Sequence, residues 1–177
     1  MIRKAKPADL DAVEEIYNEI LTAEEAGLGC TGWIRGLYPC RSFAEEALQR
    51  NDLFVIEEDG VILGSGIINH IQPPEYKAAP WEHEADPTRV CVLHTLTVSP
   101  RVYGRGLGRQ FVAFYEEYAK ENGCRELRID TNERNLTARS LYGKLGYKEI
   151  CTVATVFNGI TGVRMVIMEK HLNNLNK

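Results

Sequence analysis

The stretch that decides the fold is Leu96-Thr-Val-Ser-Pro-Arg-Val-Tyr-Gly-Arg-Gly-Leu-Gly-Arg-Gln-Phe111. A β-rich run stops at Pro100, and Gly104, Gly106 and Gly108 then lead into apolar positions spaced as on a helix. The first N–H groups of a helix have no intrahelical partners and carry a partial positive charge, while glycine lets the backbone bend and approach a ligand closely. Such a turn suits a phosphate, and Arg101, Arg105 and Arg109 crowd the same place. Taken alone, it equally suits a plain strand-to-helix connection. It lacks the Gly-Lys-Ser/Thr ending of a Walker loop and the spaced glycines near the amino end that mark a dinucleotide fold.

Immediately upstream, Arg89 to Val98 (RVCVLHTLTV) is a nearly continuous apolar run, the pattern of a central strand covered on both faces. Downstream, Leu107, Phe111, Phe114, Tyr115, Tyr118 and Ala119 predict a helix ending at Asn122-Gly123, followed by a strand over Glu126 to Thr131. Asn135 to Leu145 reads as a helix closed by Gly146, and Tyr147 to Phe157 and Val163 to Glu169 as two strands around Asn158-Gly159.

Nearer the amino end, a short alternation at IRKA precedes an amphipathic helix that runs from beyond Pro7 to near Gly27. GLGCTGWIRGLYPC follows as an irregular crossover, and Ser42-Phe43-Ala44-Glu45 predicts a capping-box start for a second helix. Leu53 to Glu58 and Val61 to His70 form a hairpin on Asp59-Gly60. Residues 71–88 hold four of the seven prolines and predict a long loop.

Composition narrows the class. The 177 residues, 44% of them hydrophobic, suit one domain over 1–177 with its own core. With 21 basic and 25 acidic side chains the net charge is −4, which offers no overall pull toward nucleic acid or an anionic membrane. No apolar run approaches the roughly 20 residues that cross a bilayer, and MIRKAKPADL lacks the apolar middle of a secretion signal, so a cytoplasmic protein is expected. The five cysteines are scattered without a close pair to hold zinc; they read as reduced and mostly buried, and no metal is implied.

A second motif follows some thirty residues after the turn: Asn135-Leu-Thr-Ala138-Arg-Ser-Leu-Tyr142, running on to Leu145-Gly146-Tyr147. With Val98 to Gly108 before it, the chain resembles the GNAT superfamily of acyl-CoA-dependent N-acetyltransferases over about residues 89 to 150. The resemblance implies an α/β (α+β) fold with a mixed, mostly antiparallel central sheet, a splayed strand and flanking helices. It implies acetyl-CoA as cofactor, its pantetheine arm along Leu96, Thr97 and Val98. The backbone of Tyr103, Gly104, Arg105, Gly106, Leu107, Gly108 and Arg109 would cradle the diphosphate, and Asn135 would contact the arm. Tyr142 would stand beside the thioester sulfur as general acid, for a thiolate leaving group with a pKa of about 8.5. One departure is Tyr103, where the family usually has Gln or Arg three residues before Gly106.

An amine attacks a thioester only as the free base. At neutral pH this costs a lysine-like amine about 4.6 kcal/mol and an α-amine about 1.4 kcal/mol, so the need for a base depends on the acceptor. His94 in the central strand has a suitable intrinsic pKa for a base, and it also fits a hydrogen-bonded core histidine. Glu82, His83 and Glu84 are a second candidate group or a solvated charge run, and a water relay is a third route. Trp33, Tyr38, Tyr76 and Trp81 lie in the two irregular segments and either wall an amine pocket or pack the loops onto the sheet. The expected activity is acetyl transfer to a primary amine of a small molecule or peptide by direct attack, with backbone N–H near Leu96 polarising the carbonyl. The alternative is a non-catalytic acyl-CoA sensor, marked by a plugged acceptor cleft. Terminal strands with open edges allow a homodimer.

Overall fold

In the computed structural model, which describes residues 1–173, seven strands form one sheet in the order β1-β2-β3-β4-β5-β7-β6. They are β1 (Ile2–Lys4), β2 (Leu53–Glu58), β3 (Val61–Asn69), β4 (Val90–Val98), β5 (Glu126–Asn132), β6 (Lys148–Phe157) and β7 (Ile160–His171). Helices α1 (Leu10–Glu25), α2 (Arg41–Gln49), α3 (Leu107–Glu121) and α4 (Leu136–Lys144) cover it. Every strand pair is antiparallel except β4 with β5. This is the mixed, mostly antiparallel architecture expected.

Hairpin chemistry explains two of the connections. Asp59-Gly60 and Asn158-Gly159 all have positive φ, as a two-residue turn matched to strand twist requires. The second turn is tighter than expected, and β7 therefore begins at Ile160 instead of Val163. The second helix also departs from expectation. Cys40, in extended backbone, precedes α2 directly, and no side chain caps it. Glu45 is drawn instead into an ion pair with Arg41, so the capping box at Ser42 does not form. Residues 71–88 are irregular apart from short 3-10 turns at Pro74–Ala78 and Pro87–Arg89. Of the five free cysteines only Cys91 and Cys124 are buried, so the reading of them as mostly buried is corrected.

One core lies between the sheet and α3/α4, built on Phe111, Val112, Tyr115, Leu127, Ile129 and Val166. Another joins α1 and α2 to β2 and β3, and a third packs Tyr38 and Tyr76 on β4 and β7. The α3 face demands close approach to β3. A Cβ built on Gly66 would come within 2.6 Å of the Phe111 ring, and one on Gly64 within 2.5 Å of the Thr97 carbonyl oxygen.

The feature that positions the site is where β4 leaves β5. Their register runs from Val90↔Glu126 to Leu93↔Ile129 and stops, although β4 continues to Val98 and β5 to Asn132. Just beyond, β4 slips against β3: Ile67 faces His94 and Ser65 faces Thr97, so Thr95 and Leu96 together stand opposite Gly66. Thr95 has φ +48°, the bulge that turns β4 away from its parallel neighbour. Among the described residues no helix is long and apolar enough to cross a membrane.

Candidate active site

A cleft of about 1150 Å³ opens where β4 and β5 part. Its walls include Leu96, Thr97 and Val98 on β4, Tyr103, Gly104, Gly106, Leu107 and Gly108 of the turn, the α4 cap Asn135, and Ala138 and Tyr142 on α4. Gly104 and Gly106 both have positive φ, +84° and +77°, and no other atom lies within 4 Å of a Cβ built on either. Backbone conformation therefore requires glycine there. Gly106 directly precedes α3, leaving the first N–H groups of a helix of 15 residues at the turn.

The arginines divide. Arg109 lines the cleft. Arg105 is turned away and pairs with Glu58 at 2.6 Å, and Arg101 pairs with Glu19 at 2.8 Å. The expectation that all three make one basic pocket is corrected, because neighbouring carboxylates take two of them. Tyr103, 63% exposed, stands at the cleft edge where a Gln or Arg is usual in the resembled family.

On α4, the Asn135 side chain accepts a hydrogen bond from the Ala138 N–H at 3.1 Å and so caps the helix. It also accepts from the Cys30 thiol at 3.3 Å, which joins the first crossover to this wall. Tyr142 is buried yet lines the cleft, and its phenol is held protonated well above its usual range by burial and then by the Asp130 charge. The phenol therefore holds its proton at neutral pH, and the same burial makes it a weaker acid than a free phenol.

His94 does not line this cleft. Its Nε2 lies 3.0 Å from Asn69 Oδ1, whose amide in turn donates to Asp52 at 2.9 Å. Burial pulls its pKa down to about 4, with the Asp52 charge opposing. The bulge at Thr95 places the cleft-lining side chains of β4 on either side of it, and the partly buried His94 ring is hydrogen-bonded to Asn69 outside the cleft.

The acceptor-side aromatics also divide. Trp33 and Tyr38 line the cleft, packed edge to face at 5.6 Å, and the Tyr38 hydroxyl meets Thr95 Oγ1 on the bulge. Tyr76 is fully buried behind the wall. Trp81 lies over the Arg128 guanidinium at 3.6 Å and donates from its indole to the Tyr76 carbonyl at 2.9 Å. Glu82 pairs with Lys148, Glu84 is exposed, and neither lines the cleft.

Sequence reasoning missed Asp130. This β5 residue lines the cleft beyond the point of splay and accepts a hydrogen bond from the Tyr76 hydroxyl at 2.7 Å. Burial raises its pKa from the usual carboxylate range to about 6, with the Tyr76 hydrogen bond opposing and the Glu75 charge adding. A carboxylate so raised, in a cleft, is poised to take and give a proton near neutrality. The signal, a lone Asp late in a strand, is invisible without the fold.

A parallel pair of strands parted by a bulge, with a glycine turn opening the following helix, defines the acetyl-CoA-dependent acetyltransferase class. Residues 11–147 match the model of the acetyltransferase (GNAT) family, and the chain belongs to that family, whose cofactor is acetyl-CoA. It is 25% identical over 150 residues to the uncharacterized N-acetyltransferase YhfO of Bacillus subtilis, spanning 84% of this chain and 89% of that one. Against the aminoglycoside N(6')-acetyltransferase type 1 of Salmonella typhimurium it is 28% identical over 109 residues, 59% of this chain and 69% of that one. The fold is shared with the ribosomal-protein-alanine N-acetyltransferase of Brucella melitensis at TM-score 0.72, with 22% identity and 97% and 99% of the two chains covered. It is shared equally with yncA of Salmonella typhimurium, solved with its cofactor acetyl-CoA, at TM-score 0.72, 18% identity and coverage of 100% and 96%.

Proposed function

We propose that this chain, as one domain over residues 1–177, transfers the acetyl group of acetyl-CoA to a primary amine of a small molecule or peptide. The supporting observation is that Asp130 and Tyr142 line the same cleft as the bulged β4 and the glycine turn. In this reading the residues that hold acetyl-CoA are the β4 backbone over Leu96–Val98, which extends beside the pantetheine arm, and the turn and Arg109, which take the diphosphate. Asp130 removes the proton from the incoming ammonium. The neutral amine then attacks the thioester carbonyl while β4 backbone N–H near Leu96 bears the developing oxyanion. Tyr142 gives its proton to the departing thiolate as the C–S bond breaks. The attacking nitrogen loses its second proton as the amide forms, and that proton restores the Tyr142 phenol, while the proton taken by Asp130 leaves to solvent, so one proton is released per acetylation and both groups return to their starting states.

Trp33 and Tyr38 wall the acceptor end, and their faces suit a cationic amine. An acceptor cleft that is open supports an enzyme over an acyl-CoA sensor, which would have this space plugged. The free edges of β1 and β6 leave self-association through a sheet edge within this reading. The test is a panel of amines, with aminoglycosides and amino-terminal peptides included, incubated with acetyl-CoA while free thiol release is followed. Acceptor-dependent thiol release is expected; acetyl-CoA binding with no release above hydrolysis on any amine would favour the sensor.

A further inference from the structure

At the start of β5, opposite the end where β4 and β5 part, the fold gathers three residues that lie far apart in sequence. His83, Glu126 and His171 each bring one ligating atom within 4.8 Å of the others. Glu126 and His171 are register partners across β5 and β7, and His171 Nδ1 lies 2.7 Å from Glu126 Oε1. The His83 ring, on the loop of residues 71–88, stacks on that of His171 with centroids 4.5 Å apart. Glu126 is only 6% exposed, and its second oxygen, Oε2, is sealed from solvent with no hydrogen-bond partner.

A buried carboxylate oxygen is costly unless a donor or a cation meets it, and no donor among the described residues does. Glu169, also buried and carrying an unpartnered oxygen, adds negative charge beside Arg128, its register partner on β5. We propose that His83, Glu126 and His171 bind a divalent cation of the zinc class, with a remaining position open to water. Two imidazoles and one carboxylate are a donor set for zinc, whereas calcium and magnesium ask for oxygen alone. Ligands about 2.1 Å from a tetrahedral ion lie about 3.4 Å from one another, so on binding the 2.7 Å contact between His171 and Glu126 must open slightly while His83 closes in. His83 is exposed on a loop and free to supply that movement.

The ion would tie this loop to β5 and β7. The same loop carries Tyr76, which donates to Asp130, and Trp81, which covers Arg128. The site stands whether or not the chain proves to be an amine acetyltransferase, because it uses none of the cleft residues.

The test titrates zinc into chelator-treated protein, followed by calorimetry and by thermal unfolding, with cobalt as a spectroscopic probe. One zinc per chain, a raised Tm and a cobalt spectrum without a thiolate charge-transfer band are expected. His83→Ala, an exposed substitution, should weaken zinc binding at least about tenfold and leave the Tm of the metal-free protein unchanged. Glu126→Gln, which keeps an acceptor for His171, should also lose binding. No saturable binding, equal affinity in wild type and both variants, or a thiolate band placing the ion on the free cysteines would each overturn the proposal.

Discussion

The Tyr76 hydroxyl donates a 2.7 Å hydrogen bond to Asp130 Oδ2, linking the proline-rich loop to the cleft across 54 positions of sequence. Burial pushes the Asp130 pKa up, and this hydrogen bond, which favours the carboxylate, restrains the rise. Tyr76→Phe removes the donor and leaves the burial. The acid limb of kcat/KM should therefore move upward by about one to two pH units, since a hydrogen bond to a charged group is worth about 1.5–3 kcal/mol. Turnover well above that limb should be nearly unchanged. A limb that stays in place would remove Tyr76 from control of the base.

Asp130 itself gives a prediction in which activity and stability move oppositely. As a base it works when ionised, so kcat/KM should fall as pH drops through about 6. Asp130→Asn should abolish that limb and lower turnover by about 10²–10⁴-fold on an acceptor with a lysine-like amine. For stability the sign is reversed. A carboxyl whose folded pKa lies above its unfolded value favours the fold below the unfolded pKa, and that contribution is lost as pH rises to about 6. The asparagine still accepts from Tyr76 and carries no charge, so the variant should be more stable than wild type at pH 8, by at most about 3 kcal/mol. Denaturant unfolding at pH 8 and near pH 4 checks this: the gain should be present at the first and absent at the second.

Tyr142→Phe keeps the buried ring against Tyr147, 5.9 Å away between centroids, and deletes only the hydroxyl group. Turnover should fall about 10²-fold while the acetyl-CoA Kd stays within a factor of two or three of wild type. Direct binding measured beside thiol release separates the two, and unchanged turnover would exclude this phenol as the acid.

Gly106, at φ +77° just before α3, is the backbone counterpart. Gly106→Ala has open space for its methyl group and fails for conformation alone, at a cost of about 1–2 kcal/mol. Either the turn strains or it relaxes to negative φ and withdraws its N–H groups. Both raise the acetyl-CoA Kd, which calorimetry reads.

Elements were legible in the sequence where one local cause sufficed. Asp59-Gly60 makes a hairpin because both positions tolerate positive φ, and the apolar run of β4 marks a strand covered on both faces. The turn at Gly104–Gly108 and the α4 motif placed one end of the cleft by resemblance. What stayed hidden depends on contacts between distant segments. Asp130 looks like any strand-end carboxylate until Tyr76 and the surrounding burial act on it. His94 has the right chemistry on the right strand, but a bulge one residue later leaves it with Asn69 instead of the cleft. His83, Glu126 and His171 share no spacing that a motif reveals; the register of β5 with β7 creates their proximity.

The arginines of the turn, too, are told apart only by the fold. By position alone, Arg105 and Arg109 are equal candidates to meet a diphosphate, since both flank the glycines. The fold makes them unequal: Arg105 is already paired with Glu58 on the neighbouring hairpin, while Arg109, in the first turn of α3, lines the cleft. A charge-assisted contact to phosphate is worth about 1.5–3 kcal/mol, whereas an exposed ion pair such as Arg105–Glu58 adds about 1 kcal/mol at most. Arg109→Ala should thus weaken acetyl-CoA at least about tenfold, more at low salt than at high. Arg105→Ala should leave the Kd within about threefold of wild type. Equal losses in the two variants would mean that the Glu58 pair opens on binding and both arginines grip the ligand, and a loss confined to Arg105 would mean that the turn grips it through that arginine instead.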